Sequence, residues 1–268
     1  MSNLNPINWW RRLLALPNDN LTKTLVVAFL VTFIASIIVS IAAVTLRPFH
    51  LANLENERQE RLAAMVAALP GMSGILTGAG VDDMEAHIVD LASGEFAANI
   101  DPATFDQRAA ANDPALSSPI PSDADVAGIK QRSDFAQVII LRKDGKLHLV
   151  VLPVRGIGYK SMLYAYLAIH ADGNTIAGLT FYEQGETPGI GTRILEPEWQ
   201  ALWPGKQLLD ENGAAIISVV RGEAVGPFEV DGISGATRTS NGVSNMLHFW
   251  LGDYGFGPFL SKLRDGEV

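Results

Sequence analysis

The chain has no cysteine among its 268 residues. That excludes disulfides, thiolate nucleophiles and a cysteine-ligated iron–sulfur cluster within it. Basic side chains are in the minority, 20 Lys and Arg against 29 Asp and Glu, for a net charge of −9. Without a basic face to neutralise phosphates, the composition argues against nucleic acid as a partner. Histidine is sparse as well. The five, at 50, 87, 148, 170 and 248, lack metal-ligand spacing and read as surface or partly buried polar residues. A complete dinucleotide-binding glycine turn is also missing. Gly156-Ile157-Gly158 and Gly189-Ile190-Gly191 supply only part of that pattern, and neither leads into a crossover helix. NADH is therefore not expected to bind this chain.

Charge is absent altogether from one stretch. Leu25 to Leu46 is a run of 22 uncharged residues rich in Val, Ile, Leu, Ala and Phe. As a helix it would be roughly 33 Å long, enough to cross a bilayer core. A cleaved signal peptide would have a shorter apolar part and a small-residue cleavage site. Here Arg47-Pro48-Phe49-His50 follows instead. A buried core helix is disfavoured because every face is apolar. The run is read as a retained single-pass anchor. Basic residues do not orient it: Arg11, Arg12 and Lys23 precede it, and Arg47, Arg58 and Arg61 follow. Trp9 and Trp10 suit a membrane interface.

Beyond the anchor, residues 47–134 read as a helical and loop-rich segment. Asn53 to Leu69 has the pattern of an amphipathic helix, and Val81 to Leu91 is expected to form a second, short one. Pro102, Pro114, Pro119 and Pro121 break up the stretch from Ser93 to Ser133. Strand patterns begin at Phe135. Phe135 to Arg142 and Leu147 to Val154 flank Lys143-Asp144-Gly145, and Met162 to His170 and Thr175 to Glu183 flank Ala171-Asp172-Gly173-Asn174. Asp-Gly between apolar runs is a hairpin signal, since glycine supplies positive φ. A short helix at Pro197 to Trp203 and a strand at Ala215 to Val220 come next. The expected class is α+β, a largely antiparallel sheet flanked by helices and preceded by one N-terminal transmembrane helix. The expected divisions are a tail at 1–24, the anchor at 25–46, the loop-rich segment at 47–134 and a cofactor domain at 135–268.

The segment Asp231-Gly232-Ile233-Ser234-Gly235-Ala236-Thr237-Arg238-Thr239-Ser240 carries the chemistry. Val243, Met246, Leu247 and Trp250 follow at i, i+3, i+4 and i+7, so a helix begins near Thr237. Two uses of the hydroxyls fit. Ser234 or Thr237 caps the helix, or the helix N-terminus receives an anion such as a phosphate.

The same ten residues resemble the signature of proteins that carry FMN as a phosphoester on the threonine of Ser-Gly-Ala-Thr, here Thr237. Asp172-Gly173-Asn174-Thr175, Tyr182-Glu183-Gln184-Gly185-Glu186-Thr187-Pro188-Gly189 and the tail from Phe249 to Leu260 extend the likeness. Together they resemble the C subunit of the bacterial sodium-translocating NADH:quinone reductase. The related flavin subunit of the ion-translocating ferredoxin:NAD reductase complex shares the threonine signature. The long 47–134 segment and the tail favour the sodium pump. A rival of another class is a membrane-tethered binding domain without redox activity, which would be colourless.

The resemblance implies a short cytoplasmic N-terminus, a periplasmic globular part at the bacterial inner membrane, and other subunits of the complex as partners. It implies covalent FMN on Thr237, attached by a separate magnesium-dependent, FAD-consuming periplasmic flavin transferase. No residue beside Thr237 is an obvious base for self-attachment. The implied task is electron relay from NADH toward ubiquinone, coupled to sodium export. Asp231, Ser234, Gly235 and Ala236 are candidate cofactor-binding residues around Thr237. Gly185 to Gly191 is a candidate ring-contacting loop, with Glu186, Thr187 and Gly189 as its contacts. An ordinary connecting loop is the alternative for that segment. Gly156 to Ser161 is a candidate second wall, although Gly158-Tyr159-Lys160 stands where a bulky apolar or tryptophan pair is expected in relatives.

Overall fold

The computed structural model describes residues 20–41 and 84–267, together with Trp10, Arg11, Ala15, Pro17 and Thr45. The chain divides into two units, Met1–Asn56 and Glu57–Val268. In the first, helix α1 spans Leu21–Ile41, 21 residues long and apolar enough to cross a membrane. Its start precedes the uncharged run because Asn20 caps it. The Asn20 side-chain oxygen accepts from the amides of Thr22 (3.0 Å) and Lys23 (3.2 Å), so the lysine lies inside the first turn. Leu25, Phe29, Phe33 and Ile38 are all more than half exposed, as suits a helix whose partner is lipid. The expected amphipathic helix at Asn53 to Leu69 falls outside the described residues.

The second unit is built on a five-stranded antiparallel sheet in the order β1-β4-β5-β6-β7. The strands are β1 (Met84–Asp90), β4 (Phe135–Lys143), β5 (Lys146–Ile157), β6 (Met162–His170) and β7 (Ile176–Glu183). Short strands β2 (Ser117–Pro119) and β3 (Gln131–Ser133) pair separately, as do β8 (Ser218–Val220) and β9 (Glu229–Asp231), the latter in parallel. Helices α2 (Gln107–Ala110) and α3 (Pro197–Gln200) are single turns, whereas α4 (Thr237–Leu251) and α5 (Gly257–Arg264) are longer.

Both hairpins form at the Asp-Gly positions. Asp144 and Gly145 have φ of 52° and 73°, the paired positive values of a two-residue turn that matches strand twist. At the second, the Asp172 carboxylate accepts from the amides of Asn174 (2.9 Å) and Thr175 (2.8 Å). Val81 to Leu91, expected as a helix, is corrected: Met84–Asp90 is an edge strand paired from Met84↔Leu141 to Asp90↔Phe135. β-Branched Ile88 and Val89 are both buried there, and cross-strand pairing outweighs local helical preference.

Alternation along the sheet separates two apolar faces. Val138, Ile140, Val150, Leu152, Leu163, Leu167 and Phe181 join the larger core with Val243, Met246, Leu247 and Trp250 of α4, Phe256 just before α5 and Phe259 within it. The other face carries Leu141, Leu149, Val151, Tyr166 and Tyr182. Above it the Arg108 guanidinium lies 3.8 Å from the Tyr164 ring and pairs with Glu183 at 2.6 Å. Burying each large side chain of α4 contributes about 1.5–3 kcal/mol, so its apolar stripe fixes it on the sheet. Trp250 Nε1 adds a 2.7 Å hydrogen bond to the Arg155 carbonyl. The helix comes so close that a Cβ on Gly242 would lie 2.5 Å from the Ile157 carbonyl oxygen. This approach sets the second turn of α4 against the end of β5.

Candidate functional site

Thr237 is the first residue of α4 and is exposed. The cap position is Ala236, and no side chain caps the helix. Capping therefore does not account for Ser234 or Thr237. The first-turn amides and the positive end of the dipole remain directed past Thr237, an arrangement that suits an anion. Gly235, with φ of 78°, makes the bend that leads into the helix.

Two cavities meet at this point. The larger, about 530 Å³, is lined by Arg221, Gly222, Gly232, Ile233, Ser234, Ser240 and Asn241 among others. The smaller, about 310 Å³, is lined by Tyr159, Thr187, Ile190, Gly191, Ala236, Arg238 and Thr239. Gly235 and Thr237 belong to both, so the Thr237 side chain stands on the ridge between them. Both volumes fall within the range of small-molecule sites. The smaller has a planar aromatic wall in Tyr159, over which the Arg238 guanidinium sits 5.2 Å from the ring centroid. Tyr159 and Ile190 are each more than two-fifths exposed, leaving apolar surface at its mouth.

The candidates fall into three positions. Gly235, Ala236, Thr237 and Thr187 line the smaller cavity, and Ser234 the larger. Asp231 and Gly189 line neither. The Asp231 carboxylate accepts from the Ala224 amide at 2.6 Å and its carbonyl from Trp199 Nε1 at 2.9 Å, tying β9 to its surroundings. Gly189 has φ of 71° in a turn whose amide donates to Thr192 Oγ1 at 2.9 Å. Glu186 is the third case. It is buried behind the smaller cavity, with its carboxylate turned away toward residues 159–161 and Thr239. Burial pushes the Glu186 carboxyl up. Hydrogen bonds from Thr239 Oγ1, the Lys160 and Tyr159 amides and the Ser161 hydroxyl more than offset it, holding the group below its ordinary range.

Arg221 and Asn241 escaped the sequence reading. Asn241 could have been found, because it lies four residues after Thr237 and so on the same helix face. Arg221 follows a strand whose partner β9 has no sequence signal longer than three residues.

The comparisons with known proteins bear on the same stretch of the chain. A family model described as an FMN-binding domain matches residues 158–252, which include both cavity walls and Thr237. The C subunit of the Na(+)-translocating NADH-quinone reductase of Pseudomonas aeruginosa is 44% identical over 258 residues, 93% of this chain and 98% of that protein. The same subunit of Vibrio vulnificus is also 44% identical, over 94% of this chain and 98% of its own length. Among solved structures, Shewanella oneidensis NqrC matches with a TM-score of 0.69 and 35% identity, covering 79% of this chain and 99% of that one. The C subunit of the Parabacteroides distasonis enzyme matches at 0.56 with 27% identity, over 79% and 96%. Identity at this level along nearly the whole length of both chains shows that the protein belongs to the family of the C subunit of the Na(+)-translocating NADH-quinone reductase, with an FMN-binding domain at its C-terminal side.

Proposed function

We propose that the chain carries FMN covalently, by a phosphoester on Thr237, and serves as an electron-relay subunit of a sodium-pumping NADH:ubiquinone reductase. One observation carries this reading: an exposed threonine opens an uncapped helix on the ridge between two cavities. The helix N-terminus would receive the phosphate. Thr187, Tyr159 and Ile190 on one side, and Ser234, Arg221 and Asn241 on the other, would hold the rest of the cofactor. Tyr159 and Ile190 supply apolar surface for a planar ring, and Arg238 a cation at its edge. Asp231 and Glu186 brace the surrounding elements, and Gly189 turns the loop that carries Thr187.

When bound, flavin supplies exchange of electrons singly or in pairs. The chain's own part is to orient the cofactor and to surround it with fixed dipoles. Electrons originating in NADH would reach this subunit through others of the complex and pass toward quinone, coupled to sodium export. Helix α1 has no acidic residue along its described length, so this helix offers sodium no obvious route. It anchors the subunit in the bacterial inner membrane, with the globular part in the periplasm. Among the described residues, no Asp, Glu or His lines either cavity at Thr237 to serve as an obvious base for its hydroxyl, so a separate FAD-consuming flavin transferase of the periplasm would make the bond.

The intact mass of natively produced protein tests this reading. It should equal the chain plus FMN less one water. A mass equal to the bare chain, from cells containing the transferase, rejects it. A periplasm-specific reporter fused after Val268 should be active, and activity only of a cytoplasmic reporter would overturn the orientation.

A further inference from the structure

The Glu186 carboxylate gathers five donors from two separate elements. Oε1 accepts from the amides of Tyr159 (3.1 Å), Lys160 (2.9 Å) and Ser161 (3.1 Å) and from Ser161 Oγ (3.1 Å). Oε2 accepts from Tyr159 N (3.1 Å) and from Thr239 Oγ1 at 2.6 Å. Residues 159–161 connect β5 to β6, whereas Thr239 is the third residue of α4. Tyr159 and Thr239 both line the smaller cavity, so the carboxylate bridges two of its walls from behind.

The space around the bridge is closed. A Cβ on Gly158 would lie 2.7 Å from Glu186 Oε1, and one on Gly191 would lie 2.8 Å from Glu186 Cβ and 2.9 Å from Thr239 Oγ1. Gly185 N donates to Ser161 Oγ at 2.7 Å, which ties the segment after β7 to the β5–β6 connection. A side chain with all its acceptor sites engaged in protein contacts has nothing left for a ligand. Its effect is on the separation of the walls.

We propose that Glu186 is a positioning residue: acting through Thr239 and the 159–161 amides, it fixes Tyr159 relative to the Thr237 turn without touching what lies between them. The proposal rests on the reading of Thr237 as the flavin attachment residue. A loop anchor with no bearing on the cofactor is the rival.

The test uses the full chain with its anchor, produced with the flavin transferase, as wild type and as Glu186→Gln, Thr239→Val and Thr239→Ser. Two readouts are needed. The first is amide hydrogen exchange at residues 159–161 in a Thr237→Ala background, which holds no covalent flavin. Exchange there should quicken about tenfold in Thr239→Val, as for loss of a charge-assisted hydrogen bond. Thr239→Ser, which retains the hydroxyl, should remain near wild type. The second is the absorbance maximum and midpoint potential of chains that carry flavin. Both should move in Glu186→Gln and Thr239→Val and return in Thr239→Ser.

Unaltered spectra and potentials in both Glu186→Gln and Thr239→Val would overturn the proposal and leave a loop anchor. Unaltered exchange in Thr239→Val would overturn it too. If Glu186→Gln does not fold, Thr239→Val and its serine rescue decide the matter alone. Failure of the wild type to carry covalent flavin would reject the Thr237 reading, and the exchange experiment would still decide whether the walls are coupled.

Discussion

Thr237 and Thr239 lie two residues apart in the same helical turn and both border the smaller cavity, yet they differ in exposure and partners. Thr237 is exposed and stands over two cavities. Thr239 is 2% exposed, and its hydroxyl donates to the Glu186 carboxylate. A helix rotates about 100° per residue, so a two-residue step turns a hydroxyl from the outer face to the inner one. The same functional group can therefore be a reaction partner at one position and a packing element at the next but one. On the proposed attachment at Thr237, motif and fold divide the labour in this turn between chemistry outside and rigidity inside.

The largest effect that would break this comparison is on attachment. Thr237→Ala removes the only atom through which the proposed phosphoester forms and disturbs no cap, because Thr237 does not cap the helix. The chain should fold, and in-gel flavin fluorescence after denaturation should vanish completely. Thr237→Ser should retain some signal if the transferase accepts a hydroxyl without the methyl. Thr239→Ala and Ser240→Ala should remain fluorescent. Both side chains are buried, with Ser240 Oγ weakly accepting from the Ile233 amide at 3.5 Å. A fluorescent band in Thr237→Ala, or its loss in Ser240→Ala, would mean that the outer and inner roles are assigned wrongly.

The next effect sharpens the inner side. Gly242 faces the end of β5, whereas its neighbour Asn241 is exposed. A methyl at Gly242 meets backbone, the Ile157 carbonyl at 2.5 Å and Gly158 Cα at 2.9 Å, so α4 must move. Overpacking of this kind costs about 1–3 kcal/mol, or roughly 2–12 °C in Tm for a domain of this size. Asn241→Ala should shift Tm by no more than about 1–2 °C, since it leaves packing unaltered. Equal shifts from thermal melts of the two variants would show that the helix does not rest on β5 through this glycine.

Much of this arrangement is legible in the sequence, for identifiable reasons. The buried face of α4 follows from apolar spacing, and Val243, Met246, Leu247 and Trp250 are all at most 1% exposed. Both Asp-Gly hairpins follow from turn chemistry. What is not legible depends on distant partners. Met84–Asp90 lacks strict alternation and becomes a strand only because β4 presents an open edge to it. Glu186 stands in a glycine-rich segment that suits a ligand loop equally well. Its role comes from backbone amides of another loop, and backbone donors leave no trace in residue identity. The cavity on the Arg221 side depends on the parallel pairing of two three-residue strands, too short for any periodicity to show.

Acid should separate the two hydroxyls in another way. The Glu186 carboxyl is held below its ordinary range in the fold. A depressed folded pKa contributes stability that is present above the unfolded value, about 4.3, and is lost as pH falls through the folded value. The Tm difference between wild type and Glu186→Gln should therefore shrink as pH falls below about 4, because a protonated carboxyl resembles the amide. The proposed phosphoester on Thr237 should survive the same excursion. Asp172, held low by Thr175 and Asn174 against the opposing effect of burial, adds a background slope common to both proteins. A constant difference across that range would remove Glu186 as an ionised bridge.

The smallest effect concerns the outer wall. Gly189, in the loop that carries Thr187, and Gly145, at the tip of a distant hairpin, have nearly the same φ, 71° and 73°. A Cβ at either position meets no atom within 4 Å. From protein atoms alone, Gly189→Ala and Gly145→Ala should therefore cost the same, about 1–2 kcal/mol of left-handed backbone strain. Only an occupant of the smaller cavity could make them differ, and Gly189 is not among the residues that line it. The flavin spectrum should accordingly shift by little in Gly189→Ala and not at all in Gly145→Ala. Gly189→Val sharpens the same measurement, since a branched side chain reaches farther than a methyl. A large spectral change in Gly189→Val, with melting no worse than in Gly145→Val, would bring residue 189 into contact with the ring. Matching spectra in the two valine variants would confine the ring to the Tyr159, Thr187 and Ile190 side of the ridge.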